Sequence, residues 1–171
     1  IIDLMMHDGL EDSYSQKSMG EITEDWLDNH QHLPTRKQQD DYAARSYHLA
    51  QAALQSGVFK EELISVTHKT RKGDVVITED EEPHRVDLNK LPRLRAVFKK
   101  DGTITAGNSS TINDGAALAL IAGSGAVAQY NLKPIAKLLA SATSSKAPEL
   151  FPEADVHAIR KVVKRAGLSL D

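Results

Sequence analysis

The chain has 171 residues, 40% of them apolar and 5% aromatic, with a formal net charge of −3. That length suits one domain or one and a half, and so mild an acidity offers nothing to nucleic acid or to an anionic membrane surface. Cysteine is absent, which excludes disulfides, thiolate–zinc sites and a thiol nucleophile within this sequence, and no apolar run reaches membrane-spanning length.

Ile1 to Met6 is apolar and breaks at Asp8-Gly9, so a short strand or buried segment is expected there. The first residue is not Met and the segment lacks the basic, apolar and small-residue regions of a secretory leader, so the chain is expected to begin inside a longer polypeptide. From Gly20 to His30, Ile22, Trp26 and Leu27 recur at helical spacing, and Leu33-Pro34 stops the helix. Thr35 followed three residues later by Gln38 is a capping box. It opens a helix from Arg36 to about Gln55, with Tyr42, Ala43, Leu49, Ala50, Ala53 and Leu54 facing inward and Gly57 as its stop.

Leu63–Thr70 and Val75–Thr78 are β-branched runs around Arg71-Lys72-Gly73-Asp74, the pattern of a β-hairpin. Glu79–Glu82 is a charge run expected in a solvated loop, and Asp87 caps a short helix to Leu94 that Pro92 curtails. Ala116–Ala122 is small and apolar without alternation, as in a strand buried on both faces. A helix is expected from Ala126 and a second strand over Lys133–Ala142. The amphipathic helix Phe151–Ala166 then places Val156, Ile159, Val162 and Val163 inward and ends at Gly167. The second half thus reads β-α-β-α, and the fold class is α/β.

The stretch Ala106-Gly107-Asn108-Ser109-Ser110 carries almost no bulk and lies between the turn pairs Asp101-Gly102 and Asp114-Gly115. Such a backbone suits either a close approach to a ligand, offering N–H groups and hydroxyls, or a tight crossover. Gly123-Ser124-Gly125-Ala126-Val127-Ala128 fits the dinucleotide-binding pattern, which would make the chain a nucleotide-binding oxidoreductase domain using NAD. The next expected strand ends in Ser141-Ala142-Thr143-Ser144-Ser145, with no acid to take the ribose hydroxyls, so a strand-to-helix turn is the better reading. His30 and His32 are the one close histidine pair and do not share a helix face. No metal site, Ser-His-Asp arrangement or Walker A motif can be drawn.

The segment Gly102 to Ala117 resembles the thiolase family, whose pattern runs G-T-V-T-A-G-N-A-S-G-x-N-D-G-A-A. Here Ile104 stands for Val, Ser109 for Ala and Thr111 for Gly. The resemblance continues in Ile2-Asp3-Leu4-Met5 with Asp8-Gly9-Leu10-Glu11-Asp12, in Thr35 to Ala43, in Lys69 to Gly73, in Leu91 to Phe98 and in Arg165 to Leu168. It covers nearly the whole chain and less than half of a full thiolase.

Thiolases make or cleave β-ketoacyl-CoA thioesters through an acyl-cysteine. The resemblance implies that both catalytic cysteines and the catalytic histidine motifs lie outside this sequence, so no catalytic residue is expected in it. It implies that residues 1–18 end an N-terminal core segment and that 19–111 form an inserted loop domain. Residues 112–132 would hold the last strand and helix of that core, and 133–171 the start of the second. Ser110 is implied to hydrogen-bond the pantetheine arm of CoA, Ala106 to line the same tunnel, and Leu94 and Phe98 to sit beside nucleotide and pantetheine. Arg85 is implied near the adenine-phosphate end and Met19 near the reacting thioester, with Ser18 where many thiolases carry histidine. The CoA thioester would be substrate, with no further cofactor. Partners would be CoA or acyl-CoA and further copies of the chain. A non-catalytic module binding CoA or a partner is the alternative, and a cytoplasmic location is expected.

Overall fold

The cap at Thr35 is where local sequence most plainly becomes structure. In the computed structural model, which describes residues 1–30 and 33–170, the Gln38 N–H donates to Thr35 Oγ1 at 3.3 Å and the Thr35 N–H donates to Gln38 Oε1 at 2.8 Å. Two orphan donors of the first turn are thereby satisfied. Helix α2 runs Arg36–Ser56 and ends at Gly57, whose φ of 71° is the left-handed conformation that glycine adopts without strain. His32, one of the close histidine pair, lies outside the described residues.

The chain divides into two units. One comprises residues 30–111 and the other residues 1–29 with 112–171. In the 30–111 unit, α2 is followed by the antiparallel hairpin β1 (Val66–Thr70) and β2 (Gly73–Ile77), paired Val66 with Ile77 through Thr70 with Gly73. The register leaves Arg71-Lys72 as a two-residue turn, and all ten strand residues are exposed. Glu82 opens the short helix α3 (Glu82–Arg85) instead of staying in a loop. The segment after Asp87 is a 3-10 turn, Leu88–Arg93, with the Asp87 carboxylate accepting from the Asn89 N–H. Leu91, 2% exposed, is the apolar centre of this unit.

In the other unit, the expected strand at Ile1–Met6 is instead an exposed helical turn that runs into Met6–Leu10. Helix α1 (Met19–Asn29) buries Ile22 to 5% exposure and Glu24 to 2%. Helix α4 spans only Ser124–Gln129, and α5 spans Phe151–Ala166 with Gly167 in the left-handed conformation. Trp26 Nε1 donates to Glu153 Oε1 at 3.1 Å, tying α1 to α5. Lys161 Nζ and Arg165 Nη1 donate to the carbonyls of Thr143 and Ser141 at 3.1 and 2.8 Å, so α5 holds the chain that precedes it.

Two expectations change here. Ala116–Ala122 and Lys133–Ala142 form no strand and join no ladder, and among the described residues the hairpin is the only sheet. Leu118, Leu120 and Ile121 are 95%, 79% and 83% exposed, and Ile135 is fully exposed. A strand read as buried on both faces needs a neighbour at each edge, and the described residues of this unit supply none. On α5, Val156 and Ile159 are also exposed, while Val162 and Val163 are half-buried.

Candidate functional site

The inward face of α2 is polar at its first turns. Arg36 Nε donates to Asp40 Oδ2 at 2.8 Å, and Arg36 Nη2 donates to the carbonyls of Leu91 and Leu94 at 2.9 Å each. The other oxygen of Asp40, a residue only 6% exposed, accepts from Asn108 Nδ2 at 2.9 Å. Asn108 Nδ2 also donates to the Thr103 carbonyl at 3.0 Å, and Asn108 Oδ1 accepts from the Thr105 N–H at 2.7 Å. Gln39 Nε2 reaches Thr103 Oγ1 at 3.0 Å. The expected inward residues Tyr42 and Leu49 are instead 74% and 59% exposed. Asp40 is the buried residue of α2, with Arg36, Ala43, Tyr47, Ala50 and Leu54 half-buried along the same side; the first turns are polar there because they meet backbone carbonyls and an asparagine amide.

This network fixes the slender stretch. Thr105 is fully buried, its Oγ1 accepts from the Gly107 N–H at 3.2 Å, and Ser109 Oγ donates to its carbonyl at 2.7 Å. Ala96 and Thr105 form an antiparallel bridge, with the Val97 N–H donating to the Ile104 carbonyl at 2.9 Å. Gly107 is glycine because of packing: a Cβ there would lie 2.7 Å from Leu94 Cδ1 and closer still to Leu91 Cδ2. The stretch is a held turn that leaves two small residues exposed. Thr105, Gly107 and Asn108 hold the turn, and Ala106 and Ser110 on the same segment face outward.

Leu94 and Phe98 are half-buried, and Leu94 packs directly beneath Gly107. Arg85 sits on α3 and pairs with Glu81, both side chains being exposed. Helix α3 is held against α2 by Tyr47 Oη on Glu82 at 3.3 Å and by Gln51 Nε2 donating to the Pro83 carbonyl at 2.7 Å. Desolvation, and then the Glu82 charge, push the Tyr47 hydroxyl above its ordinary 10.0. Asp40 and Gln51 are three helical turns apart, about 16 Å along α2. The Ala106–Ser110 segment and the Arg85 helix are thus stationed at different points along one rod. Beside α3, a cleft of about 340 Å³ is lined by Leu54, Phe59, Leu63 and His84.

Met19 belongs to the other unit, where it opens α1 and is 39% exposed. Ser18, just before it, is a helix cap: the Glu21 N–H donates to Ser18 Oγ at 3.2 Å, and Glu21 Oε2 accepts from the Ser18 N–H at 2.8 Å. The Ser18 N–H bond foremost, and then the Ser18 hydroxyl donating to the same oxygen at 2.8 Å, hold the Glu21 carboxyl below its ordinary 4.5. The Gly123–Ala128 motif opens a helix of six residues after a segment that forms no strand, so the strand-and-helix setting of a dinucleotide fold is absent among the described residues. Among those residues no three His, Asp or Glu side chains cluster as metal ligands, and no helix is long and apolar enough to cross a membrane.

The sequence reading missed Arg36, Asp40 and Asn108. The available signal was the i, i+4 pairing of Arg36 with Asp40 in a first turn, joined to an Asn inside a turn of small residues.

The family described as "Thiolase, N-terminal domain" matches residues 1–124. The mitochondrial acetyl-CoA acetyltransferase of Danio rerio is 43% identical over 168 residues, covering 97% of this chain and 40% of that protein. The crystal structure of the Bacillus anthracis acetyl-CoA acetyltransferase superposes with a TM-score of 0.87 at 33% identity, over 94% of this chain and 41% of that one. The Acat5 thiolase of Ascaris suum, solved in complex with coenzyme A, superposes with a TM-score of 0.83 at 36% identity, over 98% and 42%. The chain therefore spans about two fifths of the length of the relatives it matches.

Proposed function

The chain belongs to the thiolase family, and from that premise we propose that it forms the CoA-binding portion of an acyl-CoA C-acyltransferase whose acylated cysteine lies on other polypeptide. The observation that carries this reading is the outward pair on a fixed segment. Ala106 and Ser110 are exposed while Thr105 and Gly107 between and beside them are buried. A pantetheine arm is a slim chain of amides, so a wall for it needs small side chains, a placed hydroxyl and little motion. Ser110 supplies the hydroxyl and Ala106 the clearance, with Leu94 and Phe98 as the apolar backing. Arg85 is assigned to the phosphates: its exposed pair with Glu81 is weak and readily exchanged for a stronger anion. The cleft by His84 is the seat we assign to the base.

The loop domain first expected over 19–111 is in this proposal the compact unit 30–111; Met19, implied by the resemblance near the thioester, belongs to the other unit and is given no part in the wall. The chemistry of the parent reaction, thiolysis or Claisen condensation, requires a thiolate, and this sequence has no cysteine. The chain alone is therefore a binding element. Names of relatives such as the Danio rerio enzyme favour a mitochondrial location over the cytoplasmic one first expected.

Titration calorimetry with CoA, pantetheine and NAD tests the reading, together with an assay for acetoacetyl-CoA cleavage. CoA and pantetheine should bind, Ser110→Ala should weaken both about fivefold to tenfold, as for loss of one hydrogen bond, and no turnover should be seen. Turnover by this chain, or preference for NAD, overturns it.

A further inference from the structure

We infer that Asp40 is the positioning residue of the pantetheine wall, acting through Asn108 and Arg36 and touching no ligand itself; this rests on the CoA reading above. One carboxylate, 6% exposed, holds two segments at once. Oδ1 takes the Asn108 amide, and Asn108 in turn fixes the Thr103 carbonyl and the Thr105 N–H. Oδ2 takes Arg36, whose guanidinium fixes the carbonyls of Leu91 and Leu94. The first segment carries Ala106 and Ser110, the polar side of the wall. The second carries Leu94 and leads to Phe98, the apolar side.

Asp40 thus bonds the first arm directly through Asn108 and reaches the second through Arg36. The two segments also meet directly, through the Ala96–Thr105 bridge with its 2.9 Å hydrogen bond from the Val97 N–H to the Ile104 carbonyl, and through the packing of Leu94 and Leu91 under Gly107; the bridge sits before the turn, and the Asp40–Asn108 bond holds the turn itself. A hydrogen-bonded carboxylate fixes orientation as well as distance, and a site is only as well placed as the groups that hold its contact residues. Asp40 is the fifth residue of α2, just after its capped first turn.

The conservative variant Asp40→Asn separates positioning from bulk stability. It keeps shape and one acceptor while losing the charge and the simultaneous hold on both arms. Three ligands are titrated: CoA, pantetheine and adenosine 3′,5′-bisphosphate. The expected result for Asp40→Asn is an equal loss for CoA and pantetheine, about tenfold, with the affinity for the bisphosphate unmoved. The Asp40→Asn/Ser110→Ala double variant should lose no more than the worse single one, because both changes disable one contact. Equal losses for all three ligands, or additive losses in the double variant, overturn the inference, since either marks a merely structural residue. If Asp40→Asn fails to fold, Asn108→Ser carries the same test from the other end of the bond. A wild-type chain that binds neither CoA nor pantetheine defeats the CoA reading instead. A chain that binds both and is weakened by Ser110→Ala, while Asp40→Asn has no effect, defeats only this inference.

Discussion

Asp40 and Asn108, 68 positions apart in the chain, are joined by a 2.9 Å hydrogen bond from the Asn108 amide to a carboxylate that also holds Arg36. That contact turns a capped helix into the base on which a turn of small residues is set.

Gly107→Ala should destabilise the 30–111 unit by about 1–3 kcal/mol, the usual cost of overpacking. The added methyl group would fall 2.7 Å from Leu94 Cδ1 and still nearer Leu91, and Leu91 is 2% exposed with no room to yield. Urea unfolding followed by far-ultraviolet circular dichroism measures it; an unchanged midpoint would show that the packing explanation of this glycine is wrong.

Arg36→Met should cost about 2 kcal/mol, because it strands the Asp40 carboxylate and leaves the Leu91 and Leu94 carbonyls without their donor. Adding Asp40→Leu to that variant should recover part of the loss, since two apolar groups replace a broken pair. The same unfolding experiment reads both. A double variant less stable than Arg36→Met alone contradicts the account.

Ser18→Ala should weaken α1 by about 1 kcal/mol through loss of its cap. It should also let the Glu21 carboxyl rise toward its ordinary 4.5, which carbon-detected NMR titration resolves. The sign follows from the lowered folded value. The stability that this carboxylate contributes is present above pH 4.5 and is lost as pH falls through the folded pKa. Ser18→Ala should therefore flatten the acid limb of the stability profile; an unaltered limb sinks the idea.

Leu120→Lys should leave stability within about 0.5 kcal/mol of the parent, as for any exposed position, because Leu120 is 79% exposed. It should also raise the concentration at which the chain stays in solution, by placing a charge on a flat, unpaired apolar run. Thermal denaturation and centrifugation after concentration check the two halves. A marked loss of thermal stability would mean the residue is covered in solution.

The elements that could be read along the chain are those whose causes are local. The Thr35–Gln38 box, the Gly57 and Gly167 stops and the limits of α5 all follow from neighbours within four residues; the hairpin was legible too, with a tighter turn, since Gly73 and Asp74 of the expected four-residue connection belong to β2. The thiolase likeness was legible for a related reason. A run such as Thr105 to Ser110 combines small size, turn geometry and paired polar groups, and few sequences satisfy all three at once.

Sequence alone could not say which face of α2 turns inward, nor whether Ala116–Ala122 and Lys133–Ala142 pair. Apolar periodicity pointed to Ala43, Ala50, Ala53 and Leu54, which are half-buried, but also to Tyr42 and Leu49, which are exposed, while the residue of α2 that is buried is Asp40, because the surface it meets is a set of backbone carbonyls and an asparagine amide. Whether an extended run becomes a strand depends on partners at its edges, which its own residues do not encode. Caps, turns and boundaries were settled by contacts a few residues long. Burial, pairing and the fixing of Ser110's segment were settled by groups brought together from distant parts of the chain, and only the tertiary structure makes those meet.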